Sequence, residues 1–145
     1  MPFKFNNILE YRKLIEDKSY IEFSKVQKEY IKINLHINNI NNKIEDYKLN
    51  YSKNASAISS INDFLILESG YQGLINSLNT ALKEKDIIEK ELEKRRLILL
   101  ESKIEFEKIK KLKDKYLAID KLNLIKKEEM IINDLTSNKY NAEQN

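Results

Sequence analysis

Apolar residues recur at alternating spacings of four and three along both halves of the chain. In the first half the repeat, here called the first stripe, comprises Phe5, Leu9, Arg12, Glu16, Ser19, Phe23, Val26, Tyr30, Ile33, Ile37, Ile40, Ile44, Tyr47 and Tyr51. In the second half the repeat, the second stripe, comprises Phe64, Leu67, Tyr71, Leu74, Leu78, Ala81, Lys85, Ile88, Leu92, Arg95, Leu99, Ser102, Phe106, Ile109, Lys113 and Tyr116. An apolar residue at roughly every 3.5 positions keeps one face of an α-helix against a supercoiling partner. The pattern predicts an all-α fold built from two long helices.

A single polar segment separates the two stripes and is the best candidate for a turn. Its short side chains compete with the backbone for hydrogen bonds. We therefore predict a helix over about 3–53, a turn over about 54–60 and a second helix over about 61–140. Ser60 is suited to cap the second helix. The rival position for the turn is 68–73, which contains both glycines of the chain.

Folding the chain at the polar segment aligns the two stripes in an antiparallel coiled-coil hairpin, a single rod-like domain. Polar members of the stripes then fall opposite one another, and we expect an ion pair between Glu16 and Arg95. Beyond Tyr116 the second helix has no partner within the chain, so 117–140 is expected to pack on another protein. The final residues, 141–145, are expected to fray.

Charge and composition narrow the possible partners. The chain has 26 basic and 23 acidic residues, a net charge of +3, and the two signs are interleaved along its length. A nucleic-acid-binding protein concentrates positive charge on one face, so we expect no nucleic acid partner. The densest basic run, 108–115, is either a site for phosphate or an acidic protein surface, or a solvated helix face. No secretory signal or membrane span is recognisable, which favours a cytoplasmic location.

Candidate chemistry is sparse. The chain has one histidine, His36, and no cysteine, so a metal centre would lack its usual ligands. Carboxylates on a helical rod line solvated faces rather than a cleft that could shift their pKa values. Motifs for nucleotide binding or nucleophilic catalysis are absent from the sequence. We predict a protein that is not an enzyme and uses no metal or cofactor.

Several segments together resemble the family of the flagellar export protein FliJ, a small component of the flagellar type III export apparatus. The aromatic-rich opening 3–12 is similar to the start of that family, and 44–51 resembles its stretch before the turn. The residues after the turn are also similar to that family, namely Leu74, Leu78, Ala81 and Lys85. So is the charged C-terminal segment, in Lys127, Glu128, Glu129, Asn133, Asp134, Leu135 and Tyr140.

The resemblance implies a fold and a set of partners. Members form a two-helix antiparallel coiled coil similar to the central stalk of rotary ATPases. The end that holds both termini enters the ring of the flagellar export ATPase and promotes its assembly and activity. A face nearer the turn binds the export gate protein FlhA, and members also handle export chaperones. By resemblance, the protein would be a monomer at the cytoplasmic face of the inner membrane at the flagellar base, held there only by the apparatus.

The resemblance also assigns residues to these partners. The ATPase-facing candidates are Phe5, Arg12, Lys110, Lys111 and Lys113. The gate-binding residues would be Ile44, Tyr47, Tyr51, Leu74, Leu78, Ala81 and Lys85. All seven lie on the stripes that we assign to burial, whereas a binding face must be accessible. Either the helices splay near the turn, or the buried face is rotated by about one position.

Three alternatives stay open at this stage. Within the same class, the chain could be the equivalent stalk of a virulence-type secretion system. From another class, it could be a structural dimeric coiled coil or a prefoldin-like holdase that clamps unfolded clients. A nucleic-acid-binding rod is the third, and steep salt dependence of binding would support it. Hydrodynamics separates the hairpin from a dimer, because only a dimer dissociates on dilution.

Overall fold

The protein consists of two long helices that pack against each other. In the computed structural model, which describes residues 2–53 and 60–144, α1 spans Asn6–Lys53 and α2 spans Ile61–Gln144. The described residues contain no strand. The prediction of an all-α helical hairpin is confirmed.

The ends of the helices differ from the predicted bounds. α1 begins at Asn6 rather than near Phe3, because the first residues form a turn in which the Asn6 N–H donates to the Phe3 carbonyl over 3.4 Å. α2 continues to Gln144, so 141–144 is helical where we expected fraying. No proline or glycine interrupts the helix there. Most of the predicted turn lies outside the described residues.

The start of α2 is fixed by a side chain. The Asp63 N–H donates to Ser60 Oγ over 3.2 Å, and the Phe64 N–H donates to the Ser60 carbonyl over 3.3 Å. Ser60 therefore satisfies a backbone donor that a helix leaves without a partner in its first turn. Gly70 and Gly73 lie inside α2 without positive φ, so the rival turn at these glycines is wrong.

The chain forms two compact units, one of residues 18–99 and one of residues 1–17 with 100–145. The core of the first unit is a cluster of buried residues, Ile33, Ile37, Ile40, Ile44 and Ala81. Around it pack the half-buried side chains of Tyr30, Tyr71, Leu74, Ile75, Leu78 and Ile88. All of these except Ile75 belong to the stripes, so the alternating pattern identified the buried face. Each buried aliphatic side chain contributes roughly 1.5–3 kcal/mol through the hydrophobic effect.

The second unit, residues 1–17 with 100–145, is held by aromatic rings. Phe3 is buried, and its ring centroid lies 5.8 Å from that of Phe5 and 5.5 Å from that of Tyr116. The Tyr116 hydroxyl donates to the Pro2 carbonyl over 3.3 Å. The rest of α2 is different, since every residue over 121–143 is exposed. Packing of Phe3, rather than helix formation, fixes the start of the chain.

Candidate functional site

An open groove lies at the end of the first unit nearest the start of α2. It encloses about 390 Å³. We call it the aromatic groove; its lining residues are Tyr47, Lys48, Tyr51, Phe64, Leu67, Glu68 and Tyr71. Tyr51 and Phe64 are 39% and 41% exposed, so aromatic surface faces solvent there. Aromatic side chains that are partly wet are typical of protein-binding surfaces, because they offer apolar area together with a polar group.

Tyr47 anchors the floor of this groove. Its hydroxyl donates a hydrogen bond to the carbonyl of Leu67, across the helix pair. Its ring centroid lies 6.1 Å from that of Tyr71 at an interplanar angle of 36°. A tyrosine in an apolar seam needs a partner for its hydroxyl, and here the backbone of α2 supplies one.

Gly70 makes room for the Tyr47 ring. A Cβ atom on Gly70 would lie 2.8 Å from Tyr47 Oη and 3.3 Å from two of the ring carbons. Gly73, one turn further along α2, would gain a Cβ with nothing within 4 Å. Glycine is therefore required at one of the two positions only, and the reason is the close approach of a ring.

Burial falls steadily along the stripes toward the groove. Ile40 and Ile44 are buried, Tyr47 is half-buried, and Tyr51 is exposed. The stripes keep their phase over this stretch, so the buried face is not rotated by one position. The hydrogen bond from Tyr47 to Leu67 still joins the two helices at this point. The expected splaying of the helices near the turn stays a prediction.

Lys85 belongs to a polar network at the edge of the core. Its Nζ lies 5.8 Å from the centroid of the Tyr30 ring and 4.0 Å from the Glu89 carboxylate. The Tyr30 hydroxyl donates to the same carboxylate over 3.4 Å. A half-exposed cation over an aromatic ring contributes roughly 0.5–1 kcal/mol. Lys85 thus has a structural role that leaves its charge partly accessible.

The second unit carries a groove of its own, of about 420 Å³. We call it the terminal groove; it is lined by Leu9, Glu10, Lys13, Leu14, Asp17 and Phe106. Lys13 Nζ lies 5.3 Å from the centroid of the Phe106 ring and 3.5 Å from Asp17. Sequence analysis did not identify this groove, because Leu14 and Lys13 lie beside the first stripe rather than on it.

The ATPase-facing candidates all belong to this second unit, but they differ in accessibility. Phe5 is exposed and contacts Phe3, whereas Arg12 and Lys113 are half-buried. Lys110 and Lys111 are fully on the exposed side of α2.

Glu16 and Arg95 are each half-buried, and each has a partner on its own helix. Lys13 Nζ lies 3.9 Å from Glu16 Oε2, an ion pair too long for a hydrogen bond. Arg95 Nε donates to Glu91 over 2.8 Å. The predicted pairing of Glu16 with Arg95 stays a prediction. The neighbouring Arg96 is exposed and binds Glu93 through two hydrogen bonds, which lower the pKa of the Glu93 carboxyl.

Metal sites and membrane spans are both absent from the part of the chain that the structure describes. No group of three or more His, Cys, Asp or Glu side chains over 2–53 and 60–144 is placed to hold a metal ion. Within the same ranges, neither helix has a stretch long and apolar enough to cross a membrane.

The family model described as "Flagellar FliJ protein" matches residues 1–145, the entire chain. The chain belongs to the FliJ family. The suspected resemblance is confirmed, and membership gives the protein a role in flagellar protein export. The FliJ family consists of structural and adaptor proteins of export rather than known enzymes. No significant match to a curated protein or to a solved structure was found.

Membership in the FliJ family gives the gate-binding candidates a context, and their burial separates them into two groups. Ile44 and Ala81 lie inside the core, and Ala81 is only 2% exposed, so neither can touch a partner while the helices are paired. Tyr47, Leu74 and Leu78 are half-buried. Tyr51 is exposed and Lys85 is partly accessible. A partner of the intact pair can reach only these less buried residues.

Five of the seven lining residues of the aromatic groove were missed as candidates, namely Lys48, Phe64, Leu67, Glu68 and Tyr71. Phe64, Leu67 and Tyr71 are members of the second stripe, but the resemblance did not assign them a role. Gly70 was considered only as part of the rival turn, whereas it accommodates Tyr47. Sequence reasoning could have found these groove residues from the antiparallel register, which places 64–71 opposite the tyrosines at the end of α1.

Proposed function

We propose that this chain is a non-enzymatic stalk and adaptor of the flagellar export apparatus. In this proposal, the aromatic groove binds the export gate protein FlhA, and the unit with both termini contacts the export ATPase ring and promotes its assembly. The protein also hands over export chaperones, at the cytoplasmic face of the inner membrane. The family match over the whole chain is the observation that carries the proposal.

The aromatic groove supports the gate-binding part. It combines exposed aromatic surface with one basic and one acidic residue at its edge, Lys48 and Glu68. Interfaces are commonly anchored by tyrosine and phenylalanine in a pocket surrounded by polar groups. A narrow segment of a partner could insert an apolar side chain between Tyr51 and Phe64 without separating the isoleucine core.

The second unit supports the ATPase-facing part. Exposed lysines at 110 and 111 and the apolar terminal groove lie in the unit that contains both termini. Mixed apolar and charged surface allows docking by packing and by electrostatic steering.

The test is binding of the purified chain to the cytoplasmic part of the export gate protein from the same organism. Tyr51→Ala and Phe64→Ala remove exposed rings from the aromatic groove, so both should fold normally. We expect each variant to weaken binding by about tenfold or more, as truncation of a central aromatic anchor does. Isothermal titration calorimetry measures the change.

Tyr20→Ala is the matched control, because it removes an exposed tyrosine from the same unit outside the groove. Its affinity should equal that of the wild type. Failure of the folded wild type to bind, or equal weakening by the control, would contradict the gate-binding role and leave the family membership intact.

A further inference from the structure

Four aromatic rings border the single cavity of the aromatic groove. Tyr51 and Phe64 are exposed, whereas Tyr47 and Tyr71 are half-buried with their ring centroids 6.1 Å apart. The face of an aromatic ring carries negative charge density, so several rings around one cavity attract a cation into it. The groove therefore has the composition of a site for an ammonium or guanidinium group.

Elsewhere in the molecule, partly exposed rings are covered by lysines of the same chain. Lys13 Nζ lies 5.3 Å from the centroid of the Phe106 ring, and Lys85 Nζ lies 5.8 Å from that of Tyr30. Over 2–53 and 60–144, no lysine or arginine is placed in this way over a ring of the aromatic groove. Within these ranges, its rings are open to a cation from another molecule.

The charges around the groove are mainly acidic. Lys48 Nζ lies 3.8 Å from the Glu45 carboxylate, so the positive charge of Lys48 is offset on its own helix. Glu68 lines the groove, is exposed, and has no basic partner among the residues that the structure describes. The segments 44–53 and 60–73, which flank the groove, contain four acidic and two basic residues, whereas the whole chain has a net charge of +3. An acidic cavity bordered by aromatic rings is complementary to a basic side chain.

Arginine fits this combination better than lysine. Its guanidinium group is planar, so it stacks on an aromatic face while its N–H groups donate to a carboxylate such as that of Glu68. The ammonium group of lysine is more strongly hydrated, so it loses more on leaving water. Tyr47 provides a fixed wall for such a group, because its hydroxyl is already held by the Leu67 carbonyl.

We propose that the aromatic groove binds an arginine side chain of a partner protein, with Tyr51 and Phe64 as the stacking rings and Glu68 as the opposite charge. The inference rests on the proposed function in that the groove is a binding site, and it deepens that function by naming the group that enters. An aliphatic side chain between the rings is the competing occupant. The two occupants differ in their dependence on charge and on the electron density of the rings.

Two short peptides test the groove without any partner protein. Acetyl-Gly-Arg-Gly-amide and acetyl-Gly-Leu-Gly-amide are each titrated into the full-length chain, and nuclear magnetic resonance follows the amides of Tyr51, Phe64 and Glu68. We expect millimolar binding of the arginine peptide, at least about fivefold tighter than that of the leucine peptide. The absence of a saturable shift with the arginine peptide, or equal or tighter binding of the leucine peptide, overturns the proposal.

The carboxylate is tested by a neutral replacement of the same size. Glu68→Gln should weaken binding of the arginine peptide by about threefold and leave the leucine peptide unaffected. Glu84→Gln is the matched control, because Glu84 is an exposed acidic residue of the same helix and the same unit outside the groove. An equal effect of both substitutions would mean that only the overall charge of the chain matters, and it would contradict a role for Glu68.

The rings are tested by replacing Phe64 with phenylalanines of increasing fluorine content. Fluorine withdraws electrons from the ring face and changes the size of the ring little, so affinity for the arginine peptide should fall stepwise. The same replacements at Phe5, which has similar exposure but belongs to the second unit, are the control and should change nothing. Affinity that is independent of fluorine content at position 64 would show that the ring acts only as apolar surface, and it would overturn the proposal.

The peptide titrations separate this inference from the proposed gate-binding role. A folded chain that binds the arginine peptide but not the export gate protein would contradict gate binding and leave the arginine site intact. A chain that binds the gate protein but does not prefer the arginine peptide would leave gate binding intact and overturn the arginine site.

Discussion

Two stretches of the same helix, 74–99 and 117–135 of α2, differ in burial although both carry apolar residues at helical spacing. In the first, Ala81 and Leu99 are buried and the intervening apolar stripe residues are half-buried. In the second, Leu124 and Ile131 are more than half exposed. α1 has 48 residues and α2 has 84, so the longer helix contains more repeat than the shorter one can cover. An apolar repeat therefore indicates the capacity for a partner, not its presence.

The difference in burial is also a difference in what stabilises the helix. The paired stretch gains the hydrophobic contribution of the isoleucine cluster. At the end of the bare stretch the contacts are local, as where the Thr136 hydroxyl donates to the Ile132 carbonyl over 2.8 Å. A hydrogen bond from a threonine hydroxyl to the carbonyl four residues earlier does not add to the stability of a helix. The first stretch is held by tertiary packing, whereas the second depends on helix propensity and on binding.

The largest expected effect contrasts two isoleucines that differ mainly in burial. Ile40 is 4% exposed within the core, and Ile131 is 59% exposed on the unpaired end of α2. We expect Ile40→Ala to lower the free energy of unfolding by roughly 2–4 kcal/mol, because it removes buried methyl groups and leaves a cavity. Ile131→Ala should change it by less than about 0.5 kcal/mol. Urea denaturation of dilute protein followed by circular dichroism compares the two. Equal losses of stability would mean that the apolar face around Ile131 is covered in solution.

The buried half of this comparison could be predicted from the sequence, and the reason is periodicity. The run from Tyr30 to Ile44 alternates without interruption, so only one helix face could serve as the core. The structure places Lys85, a member of the second stripe, beside Tyr30 of the first. Ser60 caps α2, as its position three residues before the acidic Asp63 suggested.

Other features depend on details that a repeat does not encode. The role of Gly70 depends on how closely the Tyr47 ring approaches the backbone, which is a matter of tenths of an ångström. Phe3 is buried although it precedes the helix and lies off the first stripe. The terminal groove is formed by residues beside the stripe. These features arise from tertiary packing of individual side chains, which the spacing of apolar positions cannot specify.

The second prediction sharpens the comparison at two glycines of one helix. Gly73→Ala should stabilise the protein by about 1 kcal/mol, because alanine is the better helix former and its Cβ meets nothing. Gly70→Ala should give no such gain, because its Cβ would displace the Tyr47 ring and strain the bond to Leu67. The two variants should therefore differ by about 1–2 kcal/mol in thermal or urea unfolding.

A background without the hydroxyl isolates the cause. In Tyr47→Phe the atom at 2.8 Å is gone, and the nearest ring carbons lie at 3.3 Å from the added Cβ. Gly70→Ala should be better tolerated in that background than in the wild type. If Gly70→Ala and Gly73→Ala stabilise the wild type equally, the ring does not occupy this position in solution.

The smallest expected effect concerns the first turn of α2, which is exposed like 117–135 but is capped by Ser60. Ile61 is exposed, so packing contributes little there, and the hydrogen bond to Ser60 Oγ holds the turn instead. Ser60→Ala should destabilise this turn by about 1 kcal/mol, and its amides should exchange with solvent about fivefold faster. Ser69→Ala, an exposed serine further along α2, is the control and should leave those amides unchanged. Unaltered exchange at Asp63 and Phe64 in the Ser60 variant would mean that the cap is not what stabilises this exposed end. The exposed parts of the helix would then share one explanation, helix propensity alone.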